Sequence, residues 1–404
     1  MTPAAPQHLY DYYKEAEVAP TFAGLTGEGD LDRYAAQRER LFTEILHLPP
    51  RLFADADVAE FGPDTGENAL VFARWGAYLT LVEPNPRAWP AIRAYFRRFG
   101  LTHRVVAEAE ADVAGFATDH AFDVVNAEGF IYTVKPDALW MDRFAGLLRP
   151  GGHLVISYYE RTAGLPELLW RAAFAEVRRR TGRDDDAVAR SLFANKWDTV
   201  PHSRSFESWT MDVLRNPFVR REYFLDAADL CRQLADRGLR LYASWPRYDD
   251  ELRIYWQKQQ VTAAAALDRQ IAHIARSRLG HAFGRKLYLT GSERDVAETA
   301  GALDLLVAGL DGLIDGATDS ALSAVRDGLD GITRTISAGA VLSDDGAAEA
   351  TTDVVQAIAR LIDAIAAGDM DTVTAACNGL ELVGFWGLPA HIAVFHRSVE
   401  HPPG

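Results

Sequence analysis

The sequence predicts an α/β fold: a doubly wound, mostly parallel seven-stranded sheet with an antiparallel edge strand, a helical lid insert and a C-terminal helical domain. Three observations carry that expectation. From about residue 55, apolar runs ("ADVAEFG", "YLTLVEP", "HRVVAEA", "FDVVNAEG" and "GHLVISYY") alternate with helical stretches. Continuous apolar strands of this kind belong to a parallel sheet covered on both faces. The first run leads through a glycine-bearing turn, "EFGPDTGENAL" at residues 60–70, directly into a helix. Beyond 260 the composition shifts to Ala, Gly, Asp and Leu, with apolar residues at helical spacing.

The elements follow in order. Residues 1–50 read as a helical, aromatic-rich flap closing on "HLPPRLF", where Pro49 and Pro50 stop a helix. Residues 51–259 form the sheet domain. "ENALVFARWG" and "PRAWPAIRAYFRRFG" are helices closed by glycine. "LRLYASWP" and "ELRIYWQKQ" stand too close together for a crossover helix, so they are expected to pair antiparallel. Between the fifth strand and the next helix lies an insert, 161–222. It holds an acidic turn (Asp184, Asp185, Asp186) and the polar aromatic stretch "NKWDTVPHSRSFESW". Loops beyond the carboxyl ends of parallel strands are where open sheets bind ligands, so the insert is read as a substrate lid. Residues 260–404 read as a small helical bundle. Its segment "GLELVGFWGLPAHIAVFHR" is unusually apolar, and is read first as a dimer contact, otherwise as a last helix or a cap.

Composition narrows the function. A chain of 404 residues with 48% hydrophobic and 25% charged residues is an ordinary globular protein. Its formal net charge of −15 argues against nucleic acid, whose binding draws on clustered Lys and Arg. No apolar run reaches the ~20 residues of a membrane span, and the N-terminus lacks the features of a signal peptide. The 2 cysteines, Cys231 and Cys377, stand far apart and imply neither disulfides nor a metal site. A cytoplasmic protein is expected.

The glycine turn poses the functional question. Gly62 and Gly66 suit a tight strand-to-helix turn, yet Asp64 stands between them, with Glu60 and Glu67 on either side. A nucleoside triphosphate wants a lysine in this loop, and there is none. A dinucleotide would bring its pyrophosphate against Asp64 and Glu67, at a cost on the order of several kcal/mol. A cation without phosphate suits the carboxylates.

At this point the stretch resembles the first motif of class I S-adenosylmethionine-dependent methyltransferases: Glu60, Gly62 and Gly66 match it, and Asp64 takes the middle glycine's place. "LVEPNP" resembles the second motif, "FDVVNAEGFIYTV" the fourth strand and its loop, and "LLRPGGHLVIS" the helix-turn-strand that follows. The resemblance covers about residues 50–259 in the right order. It implies S-adenosyl-L-methionine as cofactor, with Glu60, Gly62, Asp64, Thr65, Gly66, Glu83, Pro84, Glu110, Asn126 and Glu128 around it. Glu83 would take the ribose hydroxyls, and Glu110 (with Glu108 and Asp112 as competitors) would lie near the adenine amine. Asp64 is expected either to cap the following helix or to lie near the cofactor's ammonium.

Methyl transfer is an in-line displacement and largely a matter of positioning, so no catalytic motif is obligatory. Tyr132 stands where similar enzymes carry a histidine and is a candidate for the methyl-transfer site, against an ordinary packed tyrosine. Glu160, with Tyr158 and Tyr159 at the end of strand five, is a candidate to orient the acceptor. His202, with Arg204, is a candidate base in the lid, against a solvated loop histidine. Tyr10, Tyr12 and Tyr13 form either a flap over the cofactor or one apolar helix face. The expected activity is methylation of an oxygen or nitrogen of a small molecule, in secondary metabolism by analogy, by a chain able to form a homodimer. The alternatives are alkyl transfer or ring closure releasing methylthioadenosine, and a non-catalytic cofactor-binding scaffold.

Overall fold

A computed structural model describes residues 8–16, 25–199, 205–249, 261–344 and 346–399. The N-terminal part contains α1 (Leu9–Ala16), α2 (Glu28–Arg40), β1 (Asp57–Phe61), α3 (Glu67–Arg74), β2 (Tyr78–Val82), α4 (Trp89–Arg98), β3 (Val105–Ala109), β4 (Phe122–Ala127), α5 (Asp137–Leu147) and β5 (Leu148–Tyr159). Next come α6 (Leu165–Thr181), α7 (Asp185–Trp197), α8 (Phe206–Trp209), α9 (Ala227–Ala235) and β6 (Leu239–Trp245). The last part holds α10 (Ala263–Phe283), β7 (Leu287–Leu289), α11 (Glu293–Asp315), α12 (Asp319–Ser337), β8 (Val341–Ser343), α13 (Ala347–Ala367), α14 (Met370–Cys377), α15 (Leu380–Val383) and β9 (Ala390–Arg397).

The chain divides into two compact units: Met1–Tyr158 with Asp229–Tyr248 and His391–Gly404, and Tyr159–Ala228 with Asp249–Ala390. The first unit carries the seven-stranded sheet, in the order β3-β2-β1-β4-β5-β9-β6. Strands β1 to β5 pair parallel, and β6 pairs antiparallel with β9. Nearly every side chain of β1 and β4 is buried, as strands covered on both faces require, whereas β3 at the edge is largely exposed. α2 and the turn after it form a layer of this unit rather than a loose flap. Leu31, Ala35, Phe42, Leu46 and Leu48 are buried in its core. Phe42 meets Phe53 and Phe72 at ring-centroid separations of 5.6 and 5.5 Å.

The antiparallel pairing expected at the β6 edge is present, and it is made with β9. "ELRIYWQKQ" lies outside the described residues. The strand beside β6 is β9, drawn from the segment read as a dimer contact, a last helix or a cap. Residues 391–395 are all buried there, so their apolar surface is spent inside the sheet. The eight-residue run after Pro389 is ambiguous between buried helix and buried strand by periodicity alone.

The second unit unites the insert with the remaining C-terminal helices in one core. Leu168, Trp170 and Phe193 from the insert join Leu279, Leu306, Val325 and Ile358. Its tightest helix pair is α11 with α12. A Cβ on Gly309 would lie 2.6 Å from Val325 Cγ2, and one on Gly328 would lie 2.7 Å from the Ala302 carbonyl. The glycines of "VAGLDG" and "RDGLDG" therefore serve close backbone approach. Among the described residues no helix is long and apolar enough to cross a membrane.

Candidate active site

Strand order reverses direction between β1 and β4, and the crevice beyond their carboxyl ends is where open α/β sheets take ligands. Register brings the expected residues to that edge. Glu60 on β1 is the direct neighbour of Asn126 on β4. Glu83 directly follows β2, its N–H bonded to the Ala109 carbonyl at 3.0 Å. Glu110 then follows β3 and is exposed. Glu108 is committed to Arg93, at 2.9 Å from its Nε, and Asp112 accepts the Gly115 N–H at 2.7 Å.

The turn after β1 uses three left-handed residues: Gly62 (φ +64°), Asp64 (φ +50°) and Gly66 (φ +93°). Asp is among the residues that tolerate this conformation, so it stands in for glycine. Gly66 is the N-cap of α3 and itself offers no side-chain cap. At Gly62 a Cβ would meet the Phe130 ring at 2.9 Å. The Thr65 hydroxyl donates to Glu67. Glu83 ties two loops together, its Oε1 accepting the Asn85 N–H at 2.7 Å and its Oε2 the Asp64 N–H at 3.2 Å. Pro84 lies between them, half-buried.

Carboxyls dominate the electrostatics. Burial, reinforced by the neighbouring Glu128, pushes Glu60 up to about 8, with Arg38 acting against the shift. Burial pushes Glu83 up to about 7 against the opposing pull of its two backbone N–H donors. Glu67 is also raised, chiefly by burial. Burial alone would raise Glu128, but the Arg38 guanidinium overrides it and holds this carboxyl low. That ion pair is two-pronged, with Arg38 Nη1 and Nη2 at 3.0 and 2.6 Å from Glu128 Oε2 and Oε1. One oxygen of the 2%-exposed Glu60, Oε2, is buried without a hydrogen-bond partner. The buried Asn126 amide makes no hydrogen bond of good geometry either, though it lies near enough to Glu128 to favour that carboxylate's charge.

Two of the three catalytic candidates lie among the described residues, one in each unit. Tyr132 is buried in a 3-10 turn, Ile131–Thr133, after β4. Glu160 belongs to the second unit. Its Oε2 accepts the Thr162 N–H (2.8 Å), the Thr162 hydroxyl (2.7 Å) and the Ala163 N–H (2.8 Å), which locks the turn into α6. That commitment leaves its other oxygen, Oε1, buried without a hydrogen-bond partner. His202 and Arg204 lie outside the described residues. Tyr10, Tyr12 and Tyr13 are half-buried on α1. Tyr12 and Tyr13 pair at 5.3 Å, and burial with the acids Asp11 and Asp112 raises Tyr10.

Sequence reasoning missed Arg38. Its signal is there: Leu31, Ala35, Arg38 and Phe42 recur at helical spacing, so an arginine occupies the buried stripe of α2. Its guanidinium also stacks over Phe42, 4.8 Å from the ring centroid. Tyr34, one turn earlier, donates to Asn68 Oδ1 on α3.

A family model described as a methyltransferase domain matches residues 34–244, more than half of the 404-residue chain. No curated protein matches the sequence. Solved structures with partial likeness include the N-methyltransferase NodS of Bradyrhizobium japonicum WM9 in complex with S-adenosyl-L-homocysteine. It shows 21% identity over 37% of this chain and 74% of that one, with a TM-score of 0.28. The glycopeptide N-methyltransferase MtfA complexed with S-adenosyl-L-methionine shows 18% identity over 32% and 52%, TM-score 0.27. Magnesium protoporphyrin IX methyltransferase (ChlM) of Synechocystis PCC 6803 shows 10% identity over 60% and 91%, TM-score 0.36. At these scores no residue role is carried across from them. On the match over residues 34–244, the chain belongs to the class I methyltransferases, whose cofactor is S-adenosyl-L-methionine.

Proposed function

We propose that the chain methylates an oxygen or nitrogen of a small-molecule acceptor. One observation carries the cofactor's placement: Glu60 Oε2 is buried and unpartnered at the β1/β4 edge, beside a left-handed glycine turn. A buried carboxyl with an open oxygen fits a cation, and no lysine or arginine stands in the turn to receive a phosphate. S-adenosyl-L-methionine, when bound, supplies a methyl group on a sulfonium.

The chain's own residues then divide the work. Glu83 accepts the ribose hydroxyls, and Pro84 and Glu110 line the adenosyl side. The backbone of Gly62, Asp64, Thr65 and Gly66 approaches closely because no Cβ intervenes at the two glycines. Glu60, Asn126 and Glu128 face the amino-acid portion, and Tyr132 lines the methyl-transfer side. Glu160 receives no catalytic part, because three hydrogen bonds hold its Oε2 to its own turn.

The test is incubation with methyl-labelled cofactor and a panel of phenols, hydroxy acids and amines. Labelled product with stoichiometric adenosylhomocysteine supports the reading. Release of methylthioadenosine in its place overturns methyl transfer, and tight cofactor binding without turnover across the panel favours a scaffold.

A further inference from the structure

Four groups face Glu60, from three elements. Arg38 and Tyr34 come from α2, Glu67 from the start of α3, and Glu128 from the loop after β4. Three of them already have partners. Arg38 spends two nitrogens on Glu128, Tyr34 donates to Asn68, and Glu67 accepts the Thr65 hydroxyl. Glu60 and Glu128 both feel the Arg38 guanidinium, whose two hydrogen bonds go to Glu128 rather than to the motif acid. A second ionised carboxylate buried here without a partner is costly, so Glu60 keeps its proton until a positive charge arrives.

We propose that Arg38 is a positioning residue that neutralises Glu128 and leaves Glu60 as the one carboxyl free to respond, so that the cofactor's α-ammonium is bound with release of a proton from Glu60. The inference rests on the placement of the amino-acid portion proposed above. No bond other than the O–H of Glu60 breaks: the proton goes to solvent, and the carboxylate pairs with the ammonium. The raised affinity of Glu60 for protons agrees with this arrangement. Glu83 is also raised, so its proton must be counted separately.

Calorimetric titration of the full chain with adenosylhomocysteine, in two buffers of different ionisation enthalpy, counts protons released without any turnover. Adenosylhomocysteine keeps the ammonium and lacks the sulfonium. The wild type is expected to release about one proton more than Glu60→Gln near pH 7, and Glu83→Gln is expected to keep that Glu60 proton. For one linked proton the wild-type Kd rises about tenfold for each unit the pH drops below the Glu60 pKa. Arg38→Met shifts the pH window of release.

Equal proton release from wild type and Glu60→Gln, with both binding, overturns the inference and leaves the cofactor site standing. Weakened binding by Arg38→Met with an unchanged proton count and window overturns the positioning role, and places Arg38 on the cofactor's carboxylate instead. If Glu60→Gln binds too weakly to titrate, wild-type slopes decide. A steeper pH dependence for adenosylhomocysteine than for methylthioadenosine, which lacks the ammonium, supports the inference, and equal slopes overturn it. No binding of either ligand overturns the cofactor placement itself.

Discussion

The phenolic oxygen of Tyr248 lies 2.6 Å from Nδ1 of His391 and 2.5 Å from the phenolic oxygen of Tyr158. All three residues are buried. Each is the terminal first-unit residue at a point where the chain passes to the second unit. The chain of hydrogen bonds therefore fastens the end of β5, the start of β9 and the segment just after β6, which covalent order separates widely. Tyr248→Phe leaves a phenol and an imidazole nitrogen buried without this partner. We expect a loss of about 1–3 kcal/mol in urea unfolding, from the desolvation of groups left unpaired. An unchanged midpoint would show that the trio is incidental.

His153 on β5 and His396 on β9 stand 5.0 Å apart, ring centroid to ring centroid. Burial first, and the second imidazole next, push His153 down to about 4 from an ordinary 6.5. The folded state thus binds fewer protons than the unfolded chain between those values. Stability is full above pH 6.5 and falls as the pH drops towards 4. Because His153 is only partly buried, the loss is about 1–2 kcal/mol after solvent screening. His153→Phe is expected to flatten the stability profile over that window in thermal melts at successive pH values.

Gly62→Ala tests the turn. The position is left-handed, and the new methyl would press on Phe130. Backbone strain of about 1–3 kcal/mol, with a displaced loop after β4, is expected to weaken adenosylhomocysteine binding at least tenfold. Binding within twofold of wild type would show that the turn accommodates a side chain.

Asp64→Gly asks a different question. Asp64 is left-handed, so thermal stability is expected to stay within about 1 kcal/mol, relief of strain offsetting a more flexible unfolded chain. Cofactor affinity is expected to fall, through loss of a carboxylate beside a cation. Unchanged affinity would remove Asp64 from the site.

Deleting residues 390–404 removes β9 from between β5 and β6 and leaves unpaired edges in the sheet interior. We expect loss of cooperative unfolding in circular dichroism. A truncated chain that melts cooperatively would mean that β9 is dispensable.

The sequence by itself determined the part of the fold that local pattern encodes. Runs such as "DVAEF" and "FDVVNA" are rich in buried apolar residues because both faces of their strands are covered, and Gly62 and Gly66 mark a turn that needs positive φ. The acids at the sheet's carboxyl edge were legible for the same reason: Glu60 stands near the end of β1, and Glu83, Glu110 and Glu128 each stand one step beyond a recognisable strand. Tertiary structure decided what depends on distant partners. β9 is a strand because β6 offers it a ladder across some 150 intervening residues, a pairing no periodicity records. Arg38 matters because α2 carries it to Glu128, 90 residues away. The insert became part of the helical unit, since Trp170 and Phe193 found their core among C-terminal helices. Local pattern sets what an element is. Which elements share a core, and which charge is left unpaired inside it, is set by packing across the whole chain.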